Sequence, residues 1–297
     1  MISINKNQLR DNLEGYAFIA PALFGLVAFL LYPIVSSVYI SFLDWNLLTD
    51  PKWAGLANYG KLVKDEVFIA SLLNTFKWVI FYVPISIVLS FILSLAAELP
   101  LRGISVFRTL FYLPVISPLL VVAMIFVWLY NPEFGAINYL LSKVGIPAVP
   151  WLTEANIAIF SIAIMSTWKM AGYNMVIFLA GLNGIPRSLY DAADIDGVTP
   201  LQKIWHIKLP LITPAIYYVT IMAVINAFQV FGEIIIMTKG GPGYSTYTLV
   251  YYLYNNAFKY NSMGYASAIS CVMTVIILAV TIFQSFILGK RVQYDFS

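Results

Sequence analysis

Residues 188–210 read SLYDAADIDGVTPLQKIWHIKLP. The stretch carries seven titratable side chains, Tyr190, Asp191, Asp194, Asp196, Lys203, His206 and Lys208, between two of the most apolar segments of the chain. Its pattern is that of two short helices joined by a turn. Ser188 with Asp191 three residues on has the spacing of a capping box, and Thr199 sets a hydroxyl ahead of Pro200, a residue suited to the first helical position. Gly197 lies between the two helices, where one stops and the next begins and positive φ is needed. Ala192, Ala193, Ile195, Val198, Leu201, Ile204, Trp205 and Ile207 give this finger more apolar surface than a short solvated loop needs. Such a face covers something or is covered by a partner.

Of the 297 residues, 61% are hydrophobic and 10% charged, far from the roughly 25% charged content of a soluble domain. The chain therefore reads as an integral membrane protein. Six segments, at about 16–42, 72–97, 107–130, 156–182, 211–237 and 264–289, are each long enough to cross about 30 Å of hydrocarbon as helix. Period-two patterning of a membrane barrel does not dominate, so helices are expected throughout. The first run is too long for a signal-peptide core and reads as a retained span.

Six spans put both termini on one side of the membrane. That side holds nine Lys and Arg residues against six in the opposite loops, so the termini and residues 183–210 are expected in the cytoplasm. The net charge of +3 is small and its basic residues are scattered, which argues against nucleic acid as a partner. Cys271 is the only cysteine. An internal disulfide and a cysteine-based metal cluster are thereby excluded.

The spacing within the finger resembles the cytoplasmic loop signature of ABC importer permeases: Asp191-Ala192-Ala193, then Gly197, then Ile207 and Leu209-Pro210. The family places Glu where this chain has Asp191. Gly55 to Tyr59, Asn74-Thr75, Arg108 to Pro114, Ala180-Gly181-Leu182, Ile185-Pro186 and Thr238 to Gly243 resemble the carbohydrate branch, which includes maltose and glycerol-3-phosphate permeases. The resemblance implies an all-α, polytopic type I ABC importer permease fold with six transmembrane helices, a single permease domain over 1–297. It implies a second homologous permease, two ATP-binding cassette subunits, an extracytoplasmic solute-binding protein and a carbohydrate substrate, in a bacterial cell membrane. Asp191, Ala192, Ala193, Gly197, Ile207, Leu209 and Pro210 would couple to the ATPase. The chain has no Gly-x-x-x-x-Gly-Lys-Ser/Thr and so no phosphate cradle; ATP and Mg belong to the partner, and no cofactor is expected here.

Ionisable residues at membrane depth face a cavity or a partner. Lys169 falls in the fourth span with Gly172 and Tyr173 on its face and Trp168 and Asn174 beside it. Asn226, Gln229 and Glu233 recur at i, i+3 and i+7 in the fifth span, one helical face. Amides, aromatic rings and a small glycine suit a sugar, so these eight residues are the candidate substrate path. The bland alternative is a structural polar contact or an interhelical ion pair. His206 reads as solvated or partner-facing rather than catalytic. The aromatics of 246–260 suit an interfacial belt or the docking of a binding protein. Three alternatives stay in view: a permease of a non-sugar ABC importer, which could share the finger's signature alone; an ion-gradient carrier, which would show broken spans in its two halves where none stands out; and a membrane enzyme, which would need a convergent catalytic set.

Overall fold

A computed structural model describes residues 6–291. The contacts within the chain divide it into two units, one comprising the residues up to Lys64 with Leu253–Val272, the other Asp65–Tyr252 with the residues from Met273.

In the first unit, α1 (Lys6–Leu26) continues through a π-turn at Val27–Leu31 into α2 (Tyr32–Ile40). A two-stranded antiparallel ribbon follows, β1 (Leu43–Asp44) against β2 (Lys52–Trp53), with Leu43 opposite Trp53. Gly55, at φ +56°, turns the chain into α3 (Ala57–Leu62). Asn58 Nδ2 then donates to the carbonyls of Ser41 and Leu43, both at 2.9 Å, and the Tyr59 hydroxyl meets Ser41 Oγ at 2.7 Å. The Gly55–Tyr59 motif is thus a local brace.

The second unit holds α4 (Glu66–Glu98), α5 (Ile104–Ile116), α6 (Leu119–Leu129), α7 (Ala136–Lys143) and α8 (Ala158–Asn183). The finger follows: α9 (Arg187–Ile195), α10 (Pro200–Lys203), a π-turn at Ile204–Lys208 and α11 (Leu209–Leu211). Beyond it come α12 (Thr213–Phe228), α13 (Gly232–Met237), α14 (Leu249–Tyr254) and α15 (Met263–Leu288), the last two entering the first unit for part of their length. Asp65 caps α4, its Oδ1 accepting from the backbone N–H groups of Val67 and Phe68 at 2.9 and 3.1 Å. At about 1.5 Å per residue the 33 residues of α4 span about 50 Å, longer than a hydrocarbon core of about 30 Å. Ser86, Ser90, Ser94 and Ala97 are fully buried along α4. Small residues three or four apart let a neighbouring helix approach closely. That neighbour is α8, whose Asn174 Nδ2 donates to Ser86 Oγ at 3.2 Å.

Among the described residues, four helices are single and long enough to cross a membrane: Glu14–Ile40, Glu66–Glu98, Ala158–Asn183 and Met263–Leu288. The count reaches six when each of two bent pairs is one span: α5 with α6, bent by 99°, and Pro200–Leu211 with α12, bent by 71°. The sequence suggested no broken spans, and the structure corrects that. Pro118 forces the break after α5, because the residue before a proline is pushed out of the helical region, and Ser117 is extended at ψ 138°. The expected fifth span, 211–237, is interrupted between Phe228 and Gly232. Here the backbone of Phe231 leaves the helical region, at φ −146°.

Backbone groups freed inside a membrane need new partners. At the first break Lys169 Nζ donates to the carbonyls of Pro114 and Val115, at 3.3 and 3.2 Å. At the second, Thr248 Oγ1 donates to Val230 O at 3.1 Å. The halves beyond the breaks, α6 and α13, pack on each other. Gly232 makes this possible, since a Cβ there would lie 2.5 Å from Leu119 Cδ2. Trp78, Ile162, Met165, Phe228 and Ile234 form the core around the breaks.

Candidate functional site: a clamped finger and a broken-helix face

The finger has a packed base and an open tip. Ala193 is buried, while Tyr190, Ile207 and Leu211 pack on a core of Phe178, Leu182, Ile185, Ile212 and Val219. The tip presents Ile195, Leu201 and Trp205, 87%, 64% and 64% exposed. Asp191, Ala192 and Gly197 are exposed with it, and Leu209 and Pro210 are half-buried at the return to the bundle. Gly197 takes φ +69° as its position requires. Thr199 and Gln202 form the reciprocal cap of α10, Gln202 Oε1 accepting from Thr199 N at 2.8 Å. The expected capping box at Ser188 and Asp191 does not form. Pro186, with ψ 134°, starts α9 one residue before Ser188, which leaves Ser188 inside the helix.

One carboxylate fastens the finger at both of its ends. Glu98, the last residue of α4, accepts from Lys208 Nζ at 2.6 Å and from the Tyr190 hydroxyl at 3.5 Å. Lys208 also lies 5.7 Å from the centroid of the Tyr190 ring. Burial, reinforced by the Glu98 charge, pushes the Tyr190 phenol up to about 12, so it remains a donor. Lys203 pairs with Asp194 across the turn. His206 is exposed and faces the Gln202 carbonyl at 3.0 Å. Among the described residues no group of His, Cys, Asp and Glu could hold a metal.

The eight candidate path residues separate into two sets. Trp168 and Tyr173 are exposed on α8, and Asn226 and Gln229 are exposed at the end of α12. Tyr173 lies beside Tyr218 of α12 and Tyr112 of α5, two residues outside the eight candidates. They join this face only because α5 and α12 flank α8. Lys169 and Asn174 are buried, occupied by the α5 carbonyls and by Ser86. The room made by Gly172 is taken by α5: a Cβ there would fall 2.0 Å from Phe111 O. Gly172 therefore serves helix packing and offers no surface to a sugar ring. Glu233 does not continue a stripe from Asn226 and Gln229, because it starts α13 beyond the break. A carboxylate in a first turn is favoured by the helix dipole. There it is an electrostatic neighbour of Lys169.

The Thr238–Gly243 turn is equally built. Gly240, at φ +87°, would bring a Cβ within 2.3 Å of Tyr247 Cδ2. Thr238 Oγ1 meets Thr246 Oγ1 at 2.7 Å, and Thr246 Oγ1 donates to Gly241 O at 2.8 Å. Asn74 Nδ2 of α4 donates to the carbonyls of Tyr244 and Tyr247 at 2.6 and 3.1 Å. The Asn74-Thr75 motif is completed by Thr75 Oγ1, which accepts from Leu249 N at 3.0 Å.

Membrane-length helices, two of whose spans are broken, with a finger between the fourth and fifth, describe a multi-pass membrane protein. Comparison with known proteins gives the family. Residues 86–293 match the binding-protein-dependent transport system inner membrane component family. The chain is 38% identical over 278 residues to the probable ABC transporter permease protein YesP of Bacillus subtilis, covering 92% of this chain and 89% of the relative. It is 34% identical over 286 residues to the lactose transport system permease protein LacF of Rhizobium radiobacter, with 94% and 95% covered. The crystal structure of a bacterial ABC transporter involved in the import of the acidic polysaccharide alginate superposes with a TM-score of 0.83 at 25% identity, over 97% of this chain and 99% of that one. The chain belongs to the binding-protein-dependent ABC importer permease family and has its type I fold.

Proposed function

We propose that this chain is one half of the two-permease core of a carbohydrate importer in a bacterial cell membrane, acting as one permease domain with both termini and the finger in the cytoplasm. Two ATP-binding cassette subunits seat the finger and use ATP and Mg, and a solute-binding protein delivers the sugar on the outer side. The lactose and alginate systems among its relatives support a sugar as cargo. Trp168, Tyr173, Asn226 and Gln229 contact the passing sugar. Lys169, Gly172, Asn174 and Glu233 hold the helices behind that face. Asp191, Ala192, Ala193, Gly197, Ile207, Leu209 and Pro210 make or shape the seat on the ATPase.

The observation that carries the coupling role is the finger's division of labour. A tip with three large exposed apolar side chains stands on a base pinned by Glu98. Apolar residues so exposed call for a covering partner, and a pinned finger transmits a rigid-body movement that a slack loop would absorb. The test is purification of the complex from native membranes. Two ATPase copies and a second permease are expected to co-elute, and cysteine crosslinks from Leu201 are expected to capture the ATPase. A chain that elutes without an ATPase overturns the proposal.

A further inference from the structure

The unbroken helix α4 is hydrogen-bonded at one end to the 238–252 segment and at the other to the finger. Near its start Asn74 and Thr75 hold the Tyr244, Tyr247 and Leu249 backbone, and the Asp65 carboxylate accepts from the Tyr252 hydroxyl. Its last residue, Glu98, clamps Lys208 and Tyr190, about 35 Å beyond Thr75 along the axis at about 1.5 Å per residue. One residue earlier, the Ala97 carbonyl accepts from Arg108 Nε and Nη2 at 3.1 and 2.7 Å, which ties the start of α5 to the same end. The third span is broken between Ile116 and Leu119 and the fifth between Phe228 and Gly232, so each can bend at its break before passing on an axial push or a twist. By contrast, α4 runs without a break although Pro84 lies in its interior, where proline favours a kink, and it is supported beyond Pro84 by α8 along its buried serine stripe.

We propose that α4 is the transmission strut of the permease, carrying ATP-driven movement of the finger to the 238–252 segment, with Glu98 at its end and Thr75 in its first third as the positioning residues. This rests on the finger being the ATPase seat. Neither residue belongs to the proposed ATPase seat or to the proposed sugar path. Glu98 transmits because a single carboxylate holds both the ascending and the returning arms of the finger. Thr75 transmits because its hydroxyl is fixed to the backbone of the segment that starts α14. Rotation or translation of α4 therefore reaches both places together.

The experiment uses the whole complex in nanodiscs with its own binding protein, in a Cys271→Ala background. Spin labels are placed on the finger tip (Leu201→Cys) or on the exposed Lys239 (Lys239→Cys), and spectra are compared before and after trapping with MgATP and vanadate. In the otherwise unaltered complex both labels are expected to respond. With Glu98→Gln or Thr75→Val the finger label should still respond and the response at Lys239 should weaken. The exchange Glu98→Lys with Lys208→Glu should restore the response at Lys239. An unchanged response at Lys239 in both single variants overturns the strut and leaves the ATPase seat standing. A finger label that never responds to vanadate overturns the seat itself.

Discussion

The ammonium of Lys169 lies 3.3 Å from the carbonyl oxygen of Pro114, on a helix 55 residues earlier in the chain, at the point where that helix ends inside the bundle. A helix end leaves carbonyls without intrahelical partners, and a cation is the favoured partner at that end. Lys169→Met removes this donor and leaves the Pro114 carbonyl with the backbone N–H of Ser117 at 3.3 Å. Losing hydrogen bonds from a charged group costs about 1.5–3 kcal/mol. The expected outcome is a lower thermal midpoint for the purified complex, restored in large part by Lys169→Arg. Trp168→Ala, one residue away but exposed, should leave that midpoint nearly unchanged.

Gly172→Ala carries a comparable penalty from sterics alone. The added methyl would sit 2.0 Å from Phe111 O and 2.7 Å from Phe111 C. Backbone cannot step aside as a flexible side chain can, so α5 must move off α8. Overpacking of this kind costs about 1–3 kcal/mol, sometimes more. The yield of assembled complex and its thermal midpoint should both fall. Gly243→Ala, with nothing within 4 Å of the new methyl but φ +59°, should cost only the backbone strain of about 1–2 kcal/mol.

These two residues show where the sequence was readable. The finger could be read because its signals are local: a glycine at positive φ, a Thr-Pro helix start, carboxylates and lysines between greasy runs. The break after Ser117 carried a signal in the proline that follows. The break after Phe228 carried none, because INAFQVFGE has no proline, and hydropathy runs on through it. What maintains it is tertiary: Leu119 against Gly232, and Thr248 on the Val230 carbonyl. A stripe assumed to follow one helix was therefore divided between two. Glu98 was invisible for the same reason, since its lysine lies 110 residues away.

If the exposed set forms the sugar path, substitutions there should change transport without changing assembly. Trp168→Ala removes an aromatic surface, and Gln229→Ala removes an amide that can donate and accept. Each is expected to raise the KM for uptake of the sugar that the complex's binding protein carries. The thermal midpoint and basal ATP hydrolysis should remain near those of the unaltered complex. Equal loss of kcat with unchanged KM would place these side chains in gating rather than in contact with sugar.

Gly197 separates geometry from space at the coupling turn. No atom lies within 4 Å of a methyl added there, yet φ is +69°, a region that costs a residue with a side chain about 1–2 kcal/mol. Asn tolerates left-handed backbone better than Val does. Gly197→Asn is therefore expected to retain most uptake. Gly197→Val should uncouple, with ATP hydrolysis continuing while sugar accumulation falls. Asp191→Lys acts on the same surface through charge and should weaken the seat without bending the turn, shown by loss of ATPase subunits on washing. Measuring uptake and hydrolysis side by side in proteoliposomes distinguishes the two routes: a finger that is misshapen stays bound and fails to transmit, whereas a finger with the wrong charge leaves its seat.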